Sequence, residues 1–255
     1  MFPSLSKLEE RLAYARLRVL NDGIQTIGIG GLNEKVLHRI LKLTVEPSEE
    51  KHEVSYLGSV VDILNEDGIT EVQTRNLDKL RPKLSKLLGE ERVRLIYPIP
   101  AVKYLRWINT ETGEITSRRR VPKKSTVFDA YRELLRIRPL LANENLTVTL
   151  FLLELEEYRV LSNYGKTGKR GSVRFERIPE KILGVEHLSN PEDYKRAFLP
   201  TGLCDPFTVK EYATAIQQKT RWAYHGIRIL MDVGVLYKVG ERGREYLYSS
   251  SNIVE

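Results

Sequence analysis

The sequence predicts an α/β chain with a mixed sheet flanked by helices, followed by a smaller C-terminal domain of helices and a hairpin. Three observations carry this. Helix-period and strand-period apolar patterns alternate along most of the chain; a cluster of turn residues separates two period-two runs; and beyond residue 200 the pattern becomes helix, turn, helix and hairpin.

Taken in order, Leu8, Leu12, Ala15 and Val19 repeat at helical spacing, so residues 7 to 20 form an amphipathic helix that Asn21-Asp22-Gly23 should stop. The Gly-rich GIGIGGLNE leads into a second helix, about Asn33 to Leu43, whose apolar face is Val36, Leu37, Ile40 and Leu41. Three strand-like runs follow, His52 to Leu57, Val60 to Leu64 and Ile69 to Thr74, the last two joined by Asn65-Glu66-Asp67-Gly68. Leu77 to Leu88 reads as a helix despite Pro82, and Arg92 to Tyr97 as a strand ended by Pro98 and Pro100. A second hairpin, Tyr104 to Ile108 with Ile115 to Arg118, precedes the basic run Arg118 to Lys124. Val127 to Ile137 then reads as helix and Leu146 to Leu153 as a buried strand, closing the α/β unit at residue 161. Residues 162–200, richer in Gly, Pro and charge, read as connector and lid.

The remainder, 201–255, opens with a T-x-x-E capping box at Thr208 and Glu211. Thr220 is expected to cap a longer helix with Ala223, Ile227, Leu230 and Val233 inward and Gly234 at its end. Val235 to Val239 then pairs with Glu245 to Ser249. That order of elements is the one expected of a winged-helix module.

With 255 residues the chain can bury a core without disulfides or structural metal. It has one cysteine, Cys204, and four histidines with no Cys/His pairing at zinc-ligand spacing, which excludes a structural zinc site and suits a reducing, cytoplasmic setting. The N-terminus has no apolar h-region and no run is apolar enough to span a bilayer, so no membrane partner is expected. A formal charge of +7 favours a polyanionic partner. Gly165-Lys166-Thr167 lacks the glycine a P-loop needs at Val160, and Gly28-Ile29-Gly30 lacks the third glycine of a dinucleotide fingerprint at Asn33. No serine or cysteine nucleophile constellation is present.

The chemistry concentrates in the first hairpin. Val60, Asp62 and Leu64 share one face, as do Ile69, Glu71 and Gln73. If the loop is Asn65 to Gly68, Leu64 pairs with Ile69 and Asp62 lies opposite Glu71. If Asp67-Gly68 is a two-residue turn, Asp62 pairs with Gln73. Either register puts both carboxylates on one face, where they repel by roughly 0.2 to 1 kcal/mol when exposed and more when buried. A hard divalent cation offsets such repulsion, because Mg²⁺ takes one or two carboxylates and keeps several waters. Glu34, near the start of its helix, is placed to add a third carboxylate. The bland alternative is an acidic hairpin face that is merely solvated.

Glu34 in a first helix, Asp62 ending a Val-Val-Asp strand, and Glu71-Val72-Gln73 followed by a helix resemble the E…D…(D/E)-x-K layout of PD-(D/E)XK nucleases. The resemblance covers about Leu32 to Tyr97 and loosely the chain to Leu161. It implies a restriction-endonuclease-like fold and phosphodiester hydrolysis with Mg²⁺ or Mn²⁺. Asp62 and Glu71 would be metal ligands, the Val72 carbonyl a further one and Glu34 an accessory one. Asp62 follows valine rather than proline, and Gln73 stands where lysine is usual. An amide can orient water but supplies neither base nor positive charge, so Lys35, Lys79 or Lys83 is left to provide an ammonium.

Arg221, His225 and Arg228 share a face of the long C-terminal helix with Tyr224 at its flank, suited to a major groove while Arg242 and Arg244 reach phosphates. Arg119 and Lys123, and Lys169 and Arg170, lie in basic loops that would follow a phosphate backbone or simply solvate the surface. The expectation is a metal-dependent DNA endonuclease that acts as a homodimer, each subunit cutting one strand. A catalytically inactive DNA-binding descendant and an RNA-processing nuclease are the alternatives.

Overall fold

The computed structural model describes residues 2–25, 36–109, 112–162 and 171–251. They form a mixed α/β structure that divides into two compact units. The first comprises residues 1–54, 98–125 and 151–185, and the second 55–97, 126–150 and 186–255.

In the first unit, α1 (Leu5–Gln25) and α2 (Val36–Val45) pack together. The α1 stripe of Leu8, Leu12, Ala15 and Val19 is buried, as are Leu37, Ile40 and Leu41 of α2. Asn21-Asp22-Gly23 does not stop α1. Packing outweighs the weak propensity of these residues, and Arg39 of α2 holds Asp22 at 2.5 Å. Arg11 donates to the Val45 carbonyl at 2.9 Å, satisfying one of the orphan acceptors at the end of α2. Strand β1 (His52–Tyr56) begins here.

The second unit holds β2 (Ser59–Asn65) and β3 (Gly68–Val72), antiparallel with Leu64 opposite Ile69 and Asn65 opposite Gly68. Gly68 has φ +106°, and a Cβ there would meet the Arg92 carbonyl oxygen at 2.5 Å, so the turn needs glycine. Helix α3 (Leu77–Leu87) buries Leu77, Leu80, Leu84 and Leu87. It connects β3 to β4 (Val93–Ile108), which runs parallel to β3 with Glu71 beside Leu95 and Val72 beside Ile96. Pro82 sits inside α3 without ending it.

Pro98 and Pro100 do not end β4. Strand β3 stops at Val72, opposite Ile96, so beyond that point a missing N–H costs no bond to β3. The far half of β4 pairs with β5 (Arg119–Arg120) through Tyr104 and Leu105.

Residues 127 to 140 are not one helix but two 3₁₀ segments around a short α4 (Tyr131–Leu134). Strand β6 extends from Leu146 to Ser162, and the stretch read as connector contains β7 (Gly171–Leu188) and α5 (Pro191–Phe198). The strand order along the sheet is β1-β2-β3-β4-β6-β7, with β5 paired to β4.

The C-terminal elements are β8 (Phe207–Thr208), α6 (Val209–Ala215), α7 (Thr220–Asp232), β9 (Tyr237–Arg242) and β10 (Glu245–Ser249), with sheet order β8-β10-β9. The capping box forms, Glu211 N–H donating to Thr208 Oγ1 at 3.3 Å and Thr208 N–H to Glu211 Oε2 at 2.7 Å. Lys219, not Thr220, holds the N-cap of α7, without a side-chain cap. Gly234, at φ +75°, turns the chain out of α7. Gly226 lets α7 approach α4, since a Cβ there would meet Tyr131 Cζ at 2.6 Å. The Tyr131 hydroxyl bonds to that of Tyr212, which donates to the Phe198 carbonyl at 2.8 Å. Burial of these phenols is thus matched by hydrogen bonds. Among the described residues no helix is long and apolar enough to cross a membrane.

Candidate functional site

The carboxylates lie where the β2–β3 ladder opens. Its pairing ends at Ile63 opposite Thr70, and two residues further along β3 the Val72 N–H is met not by a β2 carbonyl but by Asp62 Oδ2, at 2.7 Å. Extending the register places Asp62 opposite Glu71, the first of the two registers the turn allowed. Gln73 N–H donates across to the Ile96 carbonyl at 2.9 Å. By strand alternation the Val72 carbonyl then leaves β3 on the β2 side, where Asp62 lies.

Glu71 is buried, at 3% exposure. Its pKa rises from the ordinary 4.5 to about 7, first because burial penalises the carboxylate and second because Asp62 repels it. Lys83 opposes both effects, with its Nζ 2.5 Å from Glu71 Oε1. Of the three candidate lysines, α3 therefore brings Lys83 to the carboxylates. Lys79, one turn earlier, is exposed, and Lys35 lies outside the described residues. Glu34 lies outside them too. Among the described residues no group of three or more His, Cys, Asp or Glu could hold a metal ion.

The basic candidates separate. Arg119 and Lys123 are exposed around β5, while neighbouring Arg118 is bound to Glu154 at 2.7 Å and Glu156 at 3.0 Å. Lys169 and Arg170 lie outside the described residues. In α7, Arg221 and Arg228 are exposed, with Arg221 over the Trp222 ring at 4.6 Å and Arg228 6.0 Å from the Tyr224 ring centre. His225 is half-buried against the edge of Trp222, and its Nδ1 has no hydrogen-bond partner among the described residues. Burial, with Arg228 and Arg221 nearby, lowers its pKa and favours the neutral ring. Arg242 is held by Glu211 at 2.6 Å, and Arg244 is exposed.

Sequence reasoning missed the residues facing α7 from the hairpin. Tyr224 and Arg228 share a cleft of about 370 Å³ with Lys238, Tyr246 and Tyr248. The spacing Tyr246-Leu247-Tyr248 was the available signal, since it puts both phenols on one face of β10.

These features define a mixed α/β protein with a buried glutamate between an aspartate and a lysine, and a basic, aromatic C-terminal cleft. The chain belongs to the family described as a domain of unknown function, DUF8091, whose model matches residues 35–189 and so takes in Asp62, Glu71, Gln73 and Lys83. It is similar to a protein of Treponema pallidum (strain Nichols) named only as uncharacterized, 31% identical over 222 residues, which are 86% of each chain. No solved structure matches.

Proposed function

We propose that the chain is a divalent-metal-dependent nuclease with the PD-(D/E)XK arrangement, in which Asp62 and Glu71 hold Mg²⁺ or Mn²⁺. The observation that carries this reading is the buried Glu71, whose raised pKa comes partly from Asp62 and which is matched to the ammonium of Lys83. Two like charges on one strand pair are a standing cost that a cation removes, and Mg²⁺ needs no more than one or two carboxylates with waters. The donor set is also hard, all oxygen, with the Val72 carbonyl on the same side.

The bound ion would supply Lewis acidity at the phosphate and a more acidic water. Asp62 is oriented for its part by the Val72 N–H. Lys83 supplies the positive charge missing at Gln73, and the Gln73 amide orients water. The C-terminal order of helix, strand, two helices and hairpin supports a winged-helix reading in which this region grips DNA. Arg119 and Lys123, with Arg221, Arg228 and Arg244, are the phosphate contacts of that reading, and RNA would be held by the same charges.

One observation favours a second reading. Glu71 already has a cationic partner in Lys83, as it would in a nucleic-acid-binding protein without turnover. The experiment that separates the two is cleavage of supercoiled, linear and branched DNA with Mg²⁺ or Mn²⁺ by wild type, Asp62→Ala and Glu71→Ala. Metal-dependent cutting lost in both variants is expected. A folded wild type that binds DNA without cutting it would support the second reading.

A further inference from the structure

The cleft between α7 and the β9–β10 hairpin has a composition that a duplex-reading helix face does not require. Its walls are phenol rings, Tyr224 from α7 and Tyr246 and Tyr248 from β10. Tyr224 and Tyr246 are about half exposed, at 46% and 50%, while Tyr248 is buried between the elements. Burial raises the Tyr248 pKa, and Tyr224 and Tyr246 raise it further, so the three rings are near neighbours.

Two cations among the lining residues lie near these rings. Lys238 Nζ is 3.3 Å from the Tyr246 ring centre, and the Arg228 guanidinium is 6.0 Å from that of Tyr224. Arg138 and Asp232, which also line the cleft, form an ion pair, offering a fork of donors beside an acceptor. A volume of about 370 Å³ lies near the lower end of the range for small-ligand pockets, roughly 300 to 1,000 Å³.

We propose that this cleft binds one unpaired nucleotide, so that the C-terminal region grips single-stranded nucleic acid. It shares with the proposed function the class of polymer and the phosphate contact at Arg228, but does not depend on the Asp62–Glu71 site. The base stacks on the exposed phenols, which accept any base because every base has a π-face. Its phosphates meet Arg228 and Lys238, and the Arg138–Asp232 pair faces the polar edge of the base. Paired bases cannot offer a ring to these walls without leaving the helix, and that unstacking is unfavourable. The cleft therefore discriminates by strandedness rather than by sequence.

The test is fluorescence anisotropy with the full chain in EDTA, so that no cleavage intervenes. The probes are a labelled twelve-nucleotide oligo(dT), an oligo(rU) of that length and a duplex of that length. Single strands are expected to bind more tightly than duplex. Tyr224→Ala and Tyr246→Ala should each weaken them by on the order of tenfold, while Tyr14→Ala, which removes an exposed tyrosine from α1, should not. A 2-aminopurine placed within the strand should be quenched by wild type and not by Tyr246→Ala. The order of the DNA and RNA strands then identifies which polymer fits better.

Duplex binding as tight as single-strand binding, variants that bind like wild type, or no binding at all would each overturn the inference. Binding of oligo(dT) by a protein that cuts nothing keeps it while removing the nuclease reading. Cutting of plasmid by a protein whose tyrosine variants bind normally does the reverse.

Discussion

Lys83 Nζ lies 2.5 Å from Glu71 Oε1, tying β3 to the crossover helix that follows it: the acid is in β3 and the ammonium in α3. Glu71 is at the same time pressed by burial and by Asp62 towards its neutral form, so the pair sits close to a change of charge near neutral pH.

A pH dependence of stability follows. The folded Glu71 keeps its proton to about pH 7, whereas the unfolded carboxyl loses it near 4.5. Between these values the folded chain holds the extra proton, so this contribution is complete below about pH 4.5 and is lost as pH rises through 7. The difference amounts to roughly 3 kcal/mol. Glu71→Gln, which imitates the protonated acid, should remove that decline. Urea denaturation of both proteins from acid to mildly alkaline pH checks it, and parallel curves would contradict it.

Activity should depend more on Lys83 than on Gln73. Lys83→Ala is expected to lower the rate of DNA cleavage roughly a hundredfold or more, as for loss of a charge-stabilising donor. Gln73→Ala should cost only about tenfold, as for a water-orienting group at the low end of such effects. Lys83 also holds the Glu71 pKa down, so its removal should move the pH–rate profile to higher pH. Lys83→Arg keeps the charge and should restore part of the rate. A profile unmoved in Lys83→Ala would show that the ammonium does not act through Glu71.

The turn that sets the register should be equally sensitive. Gly68→Ala combines a positive φ with a close approach to the Arg92 carbonyl. It should destabilise the chain by more than about 1 kcal/mol and weaken metal binding by displacing Glu71 from Asp62. Gly240→Ala, where no atom lies within 4 Å of an added Cβ, is the control and should be nearly neutral. Thermal denaturation and a metal titration of the two variants provide the readouts.

Much of the fold was legible because local signals agreed with packing. The α1 stripe, the β2–β3 hairpin, α3 and the capping box at Thr208 all follow from short-range patterns, whereas the turn left two hairpin registers open and the structure adopts the first. Strand β7 was missed because Pro179 and Gly184 read as breakers, yet Pro179 is buried within a strand that belongs to the same sheet as β6. A neighbouring strand, not residues 171 to 188 themselves, decides that segment. Pro98 and Pro100 misled in the same way, since their tolerance depends on where β3 ends.

At the site, periodicity alone put Asp62 and Glu71 on one face. The choice of Lys83 over Lys79 depends on where α3 lies above β3, a tertiary fact. The ion pairs that occupy Arg118 and Arg242 reach residues remote in sequence, Glu154 and Glu156 in one case and Glu211 in the other. No local pattern reveals them.

The central claim, that Asp62 and Glu71 form a divalent-cation site, is tested most directly by calorimetric titration of Mn²⁺ into the full chain at pH 6 and pH 8. Wild type should bind at both, more tightly at pH 8, because below about pH 7 the ion must displace the Glu71 proton. Asp62→Asn and Glu71→Gln should each abolish saturable binding while leaving the fold intact. Binding that is absent in wild type, or that survives unchanged in both variants, would contradict the account.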